Sequence, residues 1–171
     1  MPEKHLPING SMNIDELFSL PGISDLEYGS LRNGLTARPW PIRQLVRSGA
    51  HGCPEEEGIT PLHQAAYNGS CKKMRNLIKK GVDVNATDIH GWTPLHDAVM
   101  EGHTRVVRML IAAGANVNAQ DIEEQYSPLH EAMRMKHREI AKILLAANAD
   151  TSLKNSENDT AFETFKRYHF R

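Results

Sequence analysis

The chain has 171 residues, 40% of them hydrophobic, enough for one compact core or for an elongated stack of similar mass. A formal net charge of -1 and a pI near 6.8 remove any bulk electrostatic case for nucleic acid or a membrane surface, so only asymmetry between faces can matter. Two cysteines without CxxC spacing, Cys53 and Cys71, exclude a disulfide framework. No apolar run approaches the ~20 residues of a membrane span, and no signal-peptide core opens the chain, so the expected compartment is intracellular, nucleus or cytoplasm.

In chain order, residues 1–27 form an N-terminal segment. Residues 1–11 are expected to be disordered. "NIDELFSL" follows, with Asn13 and Glu16 spaced as a capping box, and is expected to be a short helix covering the apolar end of the fold. Residues 28–57 read as a degenerate version of the unit that comes next, with a helix at 42–48 ended by Gly49. Gly34 to Gly49 is 15 residues, against 12 from Gly69 to Gly81 and from Gly102 to Gly114, so three residues are inserted around Pro39, Trp40 and Pro41.

From residue 58 the chain repeats. "TPLH" begins at Thr60 and Thr93, "SPLH" at Ser127 and "TAFE" at Thr160, with spacings of 33, 34 and 33. "KKGVDVNATD", "AAGANVNAQD" and "AANADTSLKN" run in the same phase. The units are 58–90, 91–124 and 125–157, with a capping half-unit at 158–171 whose abrupt end suggests a fragment of something longer. A Thr or Ser hydroxyl before Pro starts a helix, because the hydroxyl caps free N–H groups and Pro loses no needed donor. A short helix follows, at 94–101 for example. Gly69 and Gly102 end these first helices, and second helices carry an apolar stripe such as Val106, Val107, Leu110 and Ile111. Gly81 and Gly114 end those in turn, and polar segments like "DVNATDIHG" suit a hairpin-like finger.

These motifs resemble ankyrin repeats, whose hallmarks include T-P-L-H-x-A and a 33-residue period. The resemblance implies an all-α-dominated solenoid of about four repeats, each two antiparallel helices with a β-hairpin finger. It implies no enzyme, no cofactor and no metal. At the repeat histidines His63, His96 and His130 it implies hydrogen bonding within and between repeats. His51 and Cys53 have no second ligand pair at zinc spacing.

Two surfaces carry charge. Lys72, Lys73, Arg75, Lys79, Lys80, Arg105, Arg108, Lys136, Arg138 and Lys142 fall on second helices, the convex side, and read as a solvated face. The fingers and first helices, where such solenoids hold ligands, are acidic and aromatic. After the repeat His come Gln64, Asp97 and Glu131; three further on are Tyr67, Met100 and Arg134, then Asn68, Glu101 and Met135. Before the Thr or Ser stand Ile59, Trp92 and Tyr126, and the finger tips add Asp88, Asp121, Glu123 and Glu124. Tyr67, Asp88, Trp92, Asp97, Met100, Glu101, Tyr126 and Glu131 are therefore the candidate site. Exposed aromatics flanked by carboxylates would take a basic peptide. The other reading of Trp92 is that it packs the finger onto its neighbour.

"GWTPLHDA" followed by "SPLHEA" also resembles the ankyrin domains of replication and repair proteins that read the histone H4 tail. That resemblance implies lysine recognition by Asp88, Trp92, Asp97 and Glu131, although Met100 stands where the group commonly has Asn. "LIKKGVDVNA" resembles ankyrin sites of asparagine hydroxylation, which marks Asn85, with Asn118 a looser match. A generic scaffold, or a targeting subunit of a phosphatase or ubiquitin ligase using the N-terminal segment, remains the alternative.

Three departures bear on the fold. Lys136 stands where Gly69 and Gly102 stand, so its turn is expected to be reshaped, since left-handed backbone costs a non-glycine residue roughly 1 kcal/mol. Asn148 replaces a helix-ending Gly, a milder change. Lys73 falls where Val106 and Ile140 are apolar, so the 58–90 unit should pack less well on that side.

Overall fold

The structure is a computed structural model and describes residues 58–169. The N-terminal segment, the degenerate unit 28–57 and the pair His51 and Cys53 lie outside the described residues. Seven helices follow in order: α1 Pro61–Tyr67, α2 Cys71–Lys79, α3 Pro94–Met100, α4 Thr104–Ala112, α5 Pro128–Arg134, α6 Arg138–Ala146 and α7 Ala161–His169. The first helices α1, α3, α5 and α7 pack side by side in one layer. The second helices α2, α4 and α6 form the other, and each pairs with the first helix of its own repeat. The architecture is an all-α repeat solenoid.

Sequence explains where each first helix begins. Thr60, Thr93 and Ser127 are extended N-caps, each followed by Pro in the first helical turn and His at the third position. The core is the apolar stripe carried through the stack. Leu62, Leu95 and Leu129 are buried at one position, and Ala65, Ala98 and Ala132 at another. Small alanines let neighbouring helices approach closely, while each buried leucine contributes about 2 kcal/mol. On the outer layer α4 buries Val106, Val107 and Leu110, and α6 buries Ile140, Ala141 and Leu144. The α2 helix buries Met74 alone, and Lys73 is exposed as its sequence position suggests.

The fingers are hydrogen-bonded turns. The Asp88 N–H donates to the Trp92 carbonyl at 2.9 Å, Asp121 to Tyr126 at 3.1 Å, and Asn155 to Asp159 at 2.9 Å. The second turn holds one extra residue, absorbed by Gln125 at φ 54. Among the described residues the β contact is an isolated antiparallel bridge, Lys154 with Thr160.

The turn at Lys136 corrects an expectation. It is not reshaped: Lys136 keeps φ 58, beside 62 at Gly69 and 76 at Gly102. Its N–H donates to Met133 at 3.2 Å and the next N–H, of His137, to Ala132 at 2.8 Å. Gly102 and His103 make the same two bonds at 3.1 and 2.8 Å. Packing of α5 and α6 fixes the turn from both sides, so the backbone accepts the strain. Asn148 is left-handed at φ 61, in line with its tolerance for that region.

Candidate functional site

Two histidine ladders frame the face between fingers and first helices. In the first, the backbone N–H groups of Thr60, Thr93 and Ser127 donate to Nδ1 of His63, His96 and His130 at 3.2, 3.1 and 3.3 Å. The hydroxyls lie 2.8, 2.9 and 2.8 Å from the same atoms. With Nδ1 accepting, the ring proton sits on Nε2. Nε2 then donates across the repeat boundary to the carbonyls of Trp92, Tyr126 and Asp159, at 2.9, 3.2 and 3.2 Å. Burial holds the His130 imidazole below its ordinary value, against the opposing pull of the Asp159 carbonyl and the charges of Glu131, Asp121 and Asp159.

The second ladder was not recognised in the sequence. Nε2 of His103, His137 and His169 donates to the carbonyls of Tyr67, Met100 and Arg134 at 2.9, 3.2 and 3.0 Å. The imidazole of His103 lies over Gly69, where a Cβ would come within 2.7 Å of the ring; His137 lies over Gly102 at 3.0 Å. The available signal was "GH" at 102–103 with "KH" one repeat later.

The eight candidate residues are placed as follows. Trp92 is 4% exposed and Tyr126 is 2% exposed, which corrects the expectation of exposed aromatics. Each lies against the imidazole of its own repeat, Trp92 with His96 and Tyr126 with His130, ring centroids 5.5 Å apart in both pairs. Ile59 is buried at the equivalent place, so the position serves packing in every repeat. Asp88 is also buried, and its Oδ1 accepts the N–H groups of His90 and Trp92, both at 2.9 Å. It closes the turn that carries Trp92, as Asp121 does for Glu124 and Tyr126 at 2.7 and 3.2 Å. Met100 is buried, which corrects its placement on an open face; Tyr67 and Glu101 are half-buried.

Asp97 and Glu131 are fully buried, each at the same position of its helix, on α3 and α5, which pack together. Their exposure as contact groups is likewise corrected. Glu131 Oε2 accepts from Nε and Nη2 of Arg134 at 3.1 and 2.6 Å. Burial opposes the charge on Arg134, yet Glu131 outweighs it and holds the guanidinium pKa above its ordinary value. Sequence reading set Arg134 apart as the exception on an acidic face; the structure makes it the cation that answers Glu131.

At the finger tips, Glu123 pairs with His90 of the preceding finger at 2.7 Å. The Ile122 N–H donates to the His90 carbonyl, and the Ser156 N–H to that of Glu124, both at 2.9 Å. Asn85 is exposed, and its side chain links two repeats, accepting from the Asn116 N–H at 2.7 Å and donating to the Gly114 carbonyl at 3.2 Å. Asn118 accepts from Asp150 in the same way at 2.8 Å. Among the described residues no cluster of three metal-binding side chains occurs, and no helix is long and apolar enough to cross a membrane.

Stacked helix pairs, capped by Thr-Pro or Ser-Pro and stitched through carbonyls by histidine, define a repeat protein whose units hold only their neighbours. The family model for ankyrin repeats (3 copies) matches residues 39–121, and that for a single ankyrin repeat matches residues 124–156. The matches cover well over half the chain, which belongs to the ankyrin-repeat family. Members of this family are generally non-enzymatic modules for protein–protein interaction. No curated protein matches the chain significantly.

Proposed function

We propose that this interaction module takes a basic peptide along the fingers and first helices. The observation that carries the reading is the grip of Arg134 on Glu131, two N–H donors on one buried carboxylate. It shows in this chain what kind of group the face accepts. One repeat earlier the carboxylate is Asp97, and Met100 occupies the place of Arg134. A lysine or arginine from a peptide offers the same charge-assisted bonds to Asp97 and Glu101. Half-buried Tyr67 lies one repeat further, where it can cover the stem of the incoming side chain. In this reading Trp92, Tyr126 and Asp88 shape the floor beneath the peptide, while Met100 and Glu131 line its sides.

A histone H4 tail is the first peptide to try, on the strength of the "GWTPLHDA" resemblance. The test is fluorescence anisotropy with a labelled H4-tail peptide. Asp97→Asn and Glu101→Lys are each expected to weaken binding by about tenfold or more. Unchanged affinity in both variants, or equal binding of a neutral peptide of the same length, overturns the proposal. The same family resemblance supports Asn85 as a substrate for asparagine hydroxylation, read by whether intact mass of Asn85→Ala loses an oxygen gained by the wild type.

A further inference from the structure

The outer face of the solenoid has a character of its own. The α2 and α4 helices contain no acidic residue, and Lys72, Lys73, Arg75, Lys79, Lys80, Arg105 and Arg108 are all exposed on them or at their ends. Among the described residues, none of these seven cations takes part in an ion pair. Net charge for the whole chain is only -1, so charge is separated between faces rather than in excess. A face built only for solubility mixes signs, because like charges at helical spacing, as in Lys72, Arg75 and Lys79, destabilise their helix.

Beside these cations lies a trough between α4 and α6, with a volume of about 560 Å³. Arg108 and Lys142, at the same position of successive repeats, stand on its two sides; Arg75 continues the series on α2. Its floor is apolar, from half-buried Ile111 and Ile143 and exposed Ala146, and Glu139 is the one carboxylate on its rim.

We propose that this outer face binds an acidic amphipathic helix of a partner protein, its apolar stripe in the trough and its carboxylates on Arg75 and Arg108. Each half of the ligand's chemistry answers something in place. Carboxylates match the row of cations, and an apolar stripe matches a recessed floor with room for several side chains. Nucleic acid is disfavoured because α2, α4 and α6 carry no aromatic residue on which bases could stack. A bilayer is disfavoured because the apolar groups are recessed between helices, where they cannot insert. The site is separate from the peptide face proposed above and stands without it.

The test uses the full chain and a fluorescein-labelled helical peptide of about five turns, leucine along one stripe and glutamate elsewhere. Binding is expected, and it should weaken about tenfold as salt rises from about 0.05 to about 0.5 M. Arg75→Glu with Arg108→Glu should abolish it, and the Gln pair should weaken it; both sets are exposed and should leave the circular dichroism unchanged. Ala146→Glu, in the floor, should weaken it about tenfold, and Asp97→Asn should not affect it. No binding by the wild type, or equal binding of a glutamate peptide without leucine, overturns the proposal. So does tighter binding to phosphatidylserine vesicles or to single-stranded RNA than to the peptide.

Discussion

His63 donates its Nε2–H to the carbonyl of Trp92, 2.9 Å away and 29 residues on. That bond ties one repeat to the next, and it reaches Trp92 through its backbone. The indole, meanwhile, packs on His96. Trp92 is thus held at N–H, carbonyl and ring, by Asp88, His63 and His96 in turn.

Replacing a ladder histidine should cost more than one hydrogen bond. His96→Ala removes the acceptor for the Thr93 N–H and the donor to the Tyr126 carbonyl. Two buried groups are left unsatisfied, so a loss of about 2–3 kcal/mol is expected in urea denaturation.

Trp92→Ala empties a core position and should cost about 3–5 kcal/mol. Glu101→Lys, on a half-buried C-cap, should stay within about 0.5 kcal/mol. Thermal melts of the two side by side check this. The contrast is why Glu101, and not Trp92, is the informative binding variant.

Turn substitutions should have opposite signs. Gly102→Ala places a Cβ at positive φ and 3.0 Å from the His137 ring, and should destabilise by about 1–2 kcal/mol. Lys136→Gly relieves the same backbone strain and should stabilise by up to about 1 kcal/mol. Chemical denaturation reads both.

Breaking the pair at α5 tests its burial. Arg134→Met alone strands the buried Glu131 carboxylate and should cost about 3–5 kcal/mol, whereas E131Q/R134M should recover most of the loss. A double-mutant cycle gives the coupling directly.

Acid should weaken the fold before carboxylates titrate. Burial lowers His130, His137 and His169, and His169 is pushed down to about 4, with Lys136 and Arg134 adding to the effect of burial. The unfolded chain binds these protons more readily, so stability is complete above the ordinary value of about 6.5 and falls as pH drops through it. For His169 the loss continues to about 4. Melting temperature measured from pH 7.5 downward should fall, and less steeply in His169→Gln. Glu163, held low by the Thr160 N–H and hydroxyl, adds its loss only below the ordinary carboxylate range.

The helices were legible because their causes are local. Thr60, Pro61 and His63 cap and start a helix wherever they occur together, and the 33-residue spacing of that motif shows the units. Gly69 and Gly102 mark the turns for the same reason. Lys136 misled because a propensity argument sees one residue, while α5, α6 and His137 hold the turn from outside it. The second histidine ladder was hidden for a related reason. His103, His137 and His169 bond backward over some 35 residues, and His169 sits at the end of a helix rather than in a repeat motif.

Sequence by itself determined the repeat, its helix boundaries, the alternation of core and surface, and the opposite charges of the two faces, all set by local caps and 3.6-residue periodicity. It also isolated Asp88, Trp92, Asp97, Met100 and Glu131 as residues that vary between repeats. Only tertiary structure decided that these five are buried. Phase within a repeat places a residue on a face, but its exposure depends on what the neighbouring turn, imidazole and helix lay over it. Trp92 shows this most directly: its side of the solenoid follows from spacing, and its 4% exposure follows from His96 and from the finger closed by Asp88.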